Sequence, residues 1–165
     1  MPLALTITSD SSPIDEIFKR LNQFNADQFQ LFDEIGAELS HRVQARFLNG
    51  IDVDGNPWKI SWRARLQGGQ TLRDTGRLMN SYTHNVLSNG VEVGTNVEYA
   101  PYLHFGAKIL PKNGQYITFA VGGQYRKVKE VNLTPRTQLG LNVDDEKAVL
   151  DIVGGFIDDY ILRSA

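Results

Sequence analysis

The sequence predicts an α+β fold with two N-terminal helices, antiparallel β hairpins forming a sheet, and a C-terminal helix packed on it. Three observations carry that reading. Apolar residues recur at helical spacing at both ends of the chain; alternating runs flank glycine turns in its middle; and no repeat, low-complexity tract or linker divides it. The 165 residues suit one domain over residues 1–165, and 41% hydrophobic with 22% charged is a globular balance rather than a disordered one.

The first helix opens at Ser12-Pro13, with Ser12 as cap, Pro13 in the first turn, and Asp15 and Glu16 at the positive end of the dipole. Ile14, Ile17, Phe18, Leu21 and Phe24 make its apolar stripe. The stripe shifts phase at Asn25, where a break is expected. A longer helix follows from Ala26 to Leu48, with Phe29, Phe32, Ile35, Leu39, Val43 and Phe47 as its buried face and Gly50 as its stop.

From Gly50 to Gly69 the signals are those of turns. Asp52, Asp54, Gly55, Asn56 and Pro57 precede Trp58 and Trp62, and Gln67-Gly68-Gly69-Gln70 reads as a loop tip. Asp74 or Thr75 can cap a short helix through Arg77, Leu78 and Asn80. Asn89-Gly90, between Tyr82–Leu87 and the valines 91, 93 and 97, signals a hairpin because both turn residues tolerate positive φ. A second hairpin is expected around Gly122-Gly123, from Tyr116, Thr118 and Ala120 to Tyr125, Lys127, Lys129 and Val131, with one face solvated. After the loop Leu133-Thr134-Pro135-Arg136, a last helix starts near Asp144 and Asp145. It buries Val149, Ile152, Val153, Phe156, Ile157, Tyr160 and Ile161; Gly154-Gly155 inside it costs about 1 kcal/mol per glycine relative to alanine. Close packing and a kink are both compatible with that pair.

Composition excludes several function classes. The 17 Lys and Arg against 19 Asp and Glu leave −2 (pI ≈ 5.9), which argues against a general DNA-coating protein but leaves room for a local basic patch. No cysteine is present, so disulfides and thiolate zinc or iron–sulfur sites are excluded. The N-terminal MPLALTITSD lacks the basic and apolar regions of a signal peptide, and no apolar run approaches the ~20 residues of a membrane span. The chain reads as a soluble protein for a reducing compartment.

Catalytic constellations are equally sparse. His41, His84 and His104 do not pair at metal-ligand spacing, and His104, within Tyr99-Ala100-Pro101-Tyr102-Leu103-His104-Phe105-Gly106, is expected to be packed and hydrogen-bonded. Ser81 stands three residues before His84 without a nucleophile elbow. Asp52 and Asp54 resemble the start of a calcium loop, but Arg63 stands where its glutamate belongs. Gly68-Gly69 has no strand–loop–helix context for a phosphate. An enzyme using His104 with Asp74 or Ser81 is the weakest reading, and no cofactor or metal is implied.

The basic residues form the candidate site: Arg42 and Arg46 four apart on a helix, then Lys59, Arg63, Arg65, Arg73 and Arg77, interleaved with Trp58 and Trp62. Two readings stand. Either the tryptophans anchor a loop to the core while the arginines stay solvated, or the set is an interface, with a partner protein or, as the alternative, a nucleic acid bound by stacking and charge. The slightly negative charge favours a protein. Arg63→Glu with Arg65→Glu is then expected to block partner contact at little cost in stability.

Four blocks, in order, resemble the phage virion morphogenesis family. They are Asp54-Gly55-Asn56-Pro57-Trp58-Lys59; Leu72-Arg73-Asp74-Thr75-Gly76-Arg77-Leu78 with Asn80-Ser81; Gly90-Val91-Glu92-Val93-Gly94-Thr95-Asn96-Val97 running into Tyr99–Gly106; and Pro135-Arg136 with Leu139-Gly140-Leu141. With the N-terminal helices the resemblance spans nearly the whole chain. Ile60-Ser61-Trp62-Arg63 departs from the family's proline-containing stretch, and Gln67-Gly68-Gly69-Gln70 replaces a longer, lysine-rich loop. The resemblance implies a non-enzymatic phage structural or assembly protein of the virion neck or tail, present in host cytoplasm during assembly and acting in tail completion or head–tail joining. Its partners are then phage tail or head-connector proteins and further copies in a ring. Physics suits these blocks to structural tasks: Asp74 as a cap, and Gly94 and Gly106 where positive φ or close approach is needed.

Overall fold

A computed structural model describes the backbone of residues 13–164, with side chains described over 27–160 and at Leu162. The expected Ser12 cap and the stripe from Ile14 to Phe24 lie outside the described residues and side chains. Eleven elements follow in order: α1 (Pro13–Asn49), α2 (Trp62–Gln67), α3 (Arg77–Asn80), β1 (Thr83–Leu87), β2 (Gly90–Gly94), α4 (Ala100–Phe105), β3 (Ala107–Ile109), β4 (Ile117–Val121), β5 (Gln124–Val128), β6 (Val131–Leu133) and α5 (Val143–Ser164).

The N-terminal segment is one helix rather than two. α1 runs unbroken for 37 residues through Asn25, a length of about 55 Å at 1.5 Å per residue. An interior asparagine costs well under about 1 kcal/mol, and neither glycine nor proline stands there to end the helix. It stops where expected: Gly50 takes φ +68°, and Ile51 N–H donates to Arg46 O at 3.1 Å. Ile35, Val43 and Phe47 are buried as anticipated, whereas Phe29 is exposed.

The core gathers on the C-terminal half of α1. Val43 and Phe47 meet Trp58, Leu78, Tyr82, Val97 and Ala100, so most of the predicted blocks contribute to it. Phe47 packs edge-to-face on Trp58 with ring centroids 5.3 Å apart, and 5.7 Å from Tyr82.

The strands do not form one sheet. They make three separate antiparallel ribbons, β1–β2, β3–β6 and β4–β5. Strands of three to five residues are marginal as bare pairs, and α1 backs β1–β2 while α2 backs β4. In the first ribbon Leu87 pairs with Gly90, so the turn is Ser88-Asn89, and neither residue adopts positive φ. The second hairpin turns at Gly122 (φ +60°) and Gly123 (φ +74°), the left-handed pair expected there. The hairpin expected to reach Val131 ends at Val128, Val131–Leu133 pairs with β3 instead, and the sequence pattern predicts none of β3, β6, α2 and α4. Ser61 caps α2 by accepting Ala64 N–H at 3.2 Å.

β1–β2 crosses α1 at Gly36, where a Cβ would lie 2.6 Å from the His84 ring and 2.7 Å from a Val91 methyl. α5 packs against α1 rather than on a sheet. Ile152 and Phe156 are half-buried there, but Ile157, expected inside, is 49% exposed.

Candidate functional site

The nine candidate residues separate into a closed junction and an open cleft. At the junction, Arg46 is buried and gives three hydrogen bonds within the chain. Nη1 donates to Gln138 O and Gly140 O, each at 3.0 Å, and Nη2 pairs with buried Asp145. Arg42 lies 3.6 Å from the other Asp145 oxygen and pairs with Glu38 at 2.7 Å. Asp145 also closes a reciprocal cap on α5: it accepts Asn142 N–H at 2.9 Å while Asn142 Oδ1 accepts Asp145 N–H at 2.9 Å. These ion pairs tie the start of α5 to α1.

The segment Pro135–Gly140 threads the interior beside this pair. Gln138 is fully buried; its Oε1 accepts the Tyr82 hydroxyl at 2.9 Å, its Nε2 donates to Arg136 O at 2.8 Å, and its N–H donates to His104 Nδ1 at 3.3 Å. Burial pushes the Tyr82 phenol up to about 12 and lowers His104 below its ordinary value, which favours the neutral imidazole whose Nδ1 can accept. His104 thus has the packed, hydrogen-bonded place expected of it. Trp58, also buried, donates Nε1–H to Thr137 O at 3.3 Å. The turn before it is tied by Asp52, whose Oδ1 accepts Asp54 N–H at 2.9 Å and Asn56 N–H at 2.8 Å.

Lys59, Trp62, Arg63, Arg65 and Arg77 come together around a cleft of about 780 Å³, bounded by α2, the loop 72–77, β4, β5 and β6. Trp62 is 55% exposed, and the Arg126 guanidinium stands 5.9 Å from its ring, linking α2 to the β4–β5 hairpin. Arg63 pins the loop: its Nη2 donates to Gln70 O (2.6 Å) and Arg73 O (2.8 Å), and Nη1 lies 3.4 Å from Asp74. The Arg63→Glu change expected to spare stability therefore breaks this loop. Leu72 beside it holds φ +61°, an uncommon conformation for a side-chain-bearing residue. Arg73 bonds Gln70 Oε1 and does not line the cleft. Among the described residues, the charged groups of Lys59, Arg65 and Arg77 have no hydrogen-bond or ion-pair partner, so their charge is available to a ligand.

Sequence reasoning missed Arg136, Phe119, Val128 and Glu130, which also line the cleft. Arg136 donates Nε–H to Lys59 O at 3.0 Å, and burial lowers its pKa from the ordinary value without discharging it. Lys108, hydrogen-bonded at 2.8 Å, and then Asn132 hold the Glu130 carboxyl below its usual range. These residues are tens of positions from Arg63, and only the fold reveals their proximity. Two smaller expectations change. Neither Asp74 nor Thr75 is the N-cap of α3: Gly76 holds that position at φ +79°, and Thr75 Oγ1, one residue before it, accepts Arg77 N–H at 3.3 Å. Gly94 has no crowding neighbour or positive φ, whereas Gly106 has φ +78° and room for a Cβ only 2.8 Å from Leu133 O.

Chemically the cleft offers an apolar floor of Phe119, Val128 and Leu133 beneath a rim with more cations than carboxylates. It suits an apolar segment edged with carboxylates. An apolar groove of about 560 Å³, lined by Tyr102, Ile109 and Leu110, continues it and shares Tyr99, Leu103 and Leu133.

No solved structure matches the chain. It is similar to "Mu-like prophage FluMu G protein 2" from Haemophilus influenzae (strain ATCC 51907 / DSM 11121 / KW20 / Rd), 32% identical over 101 residues, covering 61% of this chain and 68% of that protein. Residues 9–157 match the phage virion morphogenesis family, whose pattern thus takes in the α1 core, the cleft and the Asp145 junction together. The chain belongs to the phage virion morphogenesis family.

Proposed function

We propose that this chain acts, as one domain over residues 1–165, in tail completion or head–tail joining, through protein–protein contacts and without catalysis. Family membership supports a structural or assembly role in phage virions. The single observation that carries the finer reading is the cleft: partner-free Lys59, Arg65 and Arg77 surround an apolar floor, the make-up of a protein-docking surface. Asp74 and Glu130 on the same rim favour a protein over the uniform negative charge of a nucleic acid backbone. The expected partners are tail or head-connector proteins, with copies arranged in a ring at the virion neck or tail after synthesis in host cytoplasm.

Electron microscopy of lysates from the source phage with this gene disrupted tests the proposal. Filled heads beside unjoined tails, or tails of irregular length, are expected. Intact infectious particles would overturn the role. Retardation of DNA by the purified protein at low salt, falling steeply as salt is added, would instead support the nucleic-acid alternative.

A further inference from the structure

We infer that the free face of α5 from a second copy of this chain docks in the cleft between α2 and β6, joining copies head to tail. This deepens the proposed role and rests on its reading of the chain as one of several copies.

α5 uses only one face within the chain. Ile152 and Phe156 turn toward α1, while Val143, Leu150 and Ile157, seven residues apart, are 79%, 68% and 49% exposed. At 100° per residue, Gly154 falls in the same line. A Cβ on Gly154 or Gly155 would meet nothing within 4 Å, so no contact among the described residues requires either glycine. Each nevertheless costs about 1 kcal/mol in a helix interior, and a glycine on an exposed face allows a second backbone to approach closely. Anchors at Leu150, Gly154 and Ile157 have the spacing by which a helix fills a groove.

Charge selects the cleft as the receptor. Glu146 flanks the apolar line on one side and Lys147, Asp151 and Asp158 on the other, three carboxylates to one ammonium and so opposite in net sign to Arg65, Arg77 and Lys59 around the cleft. The polarity extends across the molecule. Residues 59–136 carry 11 Lys and Arg against 4 Asp and Glu, a net +7, while α1 and α5 together carry 6 against 12, a net −6. Pairing α5 with α5, or cleft with cleft, sets like charges together; pairing α5 with the cleft does not. A contact between two different surfaces repeats from copy to copy and closes into a ring where the rotation allows.

The chain has no cysteine, so disulfide mapping is unambiguous. In the purified full-length protein, Leu150→Cys with Asn132→Cys in one chain is expected to give a ladder of covalent oligomers under mild oxidation, and each single variant is expected to form no covalent oligomer. Mixing the two single variants should give a dimer and nothing larger. Asp151→Lys with Asp158→Lys, added to the double-cysteine chain, should abolish the ladder; adding Arg65→Glu and Arg77→Glu as well should restore it. Dimers from Leu150→Cys alone would show α5 pairing with itself and overturn the inference. Absence of a ladder from the double variant would overturn it too. Neither result touches the lysate phenotype, so failure here and failure of the proposed role are distinguishable.

Discussion

Arg46 gives three hydrogen bonds to carbonyls and a carboxylate inside the chain; around Arg65 and Arg77, none of the guanidinium donors is matched among the described residues. The two regions share residue types and differ in burial. A buried guanidinium requires a carboxylate and carbonyls, and Asp145, Gln138 and Gly140 supply them. An exposed one needs only water until a partner displaces it. Clustered arginines in a sequence therefore serve two opposite tasks, and the fold decides which.

The largest expected effect tests the closed region. Asp145→Ala leaves Arg46 buried without its carboxylate and removes the α5 cap, so urea denaturation should show a loss of about 3–5 kcal/mol. A loss below about 1 kcal/mol would mean that the junction is as solvated as the cleft, and the contrast would disappear.

Gly36 and Gly154 sharpen the contrast through one substitution in two places. Gly36→Ala drives a methyl group into the His84 ring and a Val91 methyl, and overpacking of this kind should cost about 1–3 kcal/mol. Gly154→Ala meets nothing among the described residues and should stabilise the monomer by up to about 1 kcal/mol. Thermal melts at low protein concentration check both signs.

A smaller effect comes from pH. Burial lowers the His104 pKa in the fold, so the unfolded chain takes up the proton first. Its contribution is complete above about 6.5, the ordinary imidazole value, and is lost as pH falls from there through the lower folded value. The urea midpoint should drop between neutral pH and pH 5 in the native sequence, and by less in His104→Gln.

The smallest stability change belongs to the cleft. Arg65→Glu with Arg77→Glu should leave the folding free energy within about 0.5 kcal/mol of the native value, because neither guanidinium holds any of the described residues. Complementation of a gene-disrupted phage by this double variant should fail nonetheless. Normal particle yield would separate the cleft from assembly.

Much of the fold is legible in the chain itself. The C-terminal half of α1, its stop at Gly50 and the Gly122-Gly123 hairpin follow from periodicity and turn chemistry, which are local properties. The unbroken passage through Asn25 was not legible, because a phase shift in an apolar stripe looks the same whether a helix breaks or exchanges one covering surface for another. The fate of the strands was hidden as well: alternation reveals a strand but not its neighbour, and β3 pairs with β6 across more than twenty residues. Of the candidate site, Lys59, Trp62, Arg63, Arg65 and Arg77 converge, while Arg42, Arg46 and Trp58 lie in the junction and core.

The sequence alone determined the element types at both ends, the absence of thiol chemistry and the family pattern, all of which depend on residue identity and short spacings. Only the tertiary structure decided which arginines are buried, why Gly36 must lack a side chain and where α5 lies. Each of these depends on atoms brought together from distant parts of the chain: Asp145 meets Arg46 across 99 positions and His84 meets Asp33 across 51. Local physical chemistry proposes a helix or a turn at low energetic cost, but the desolvation of a charge or the collision of a methyl group is set by whatever the fold places against it.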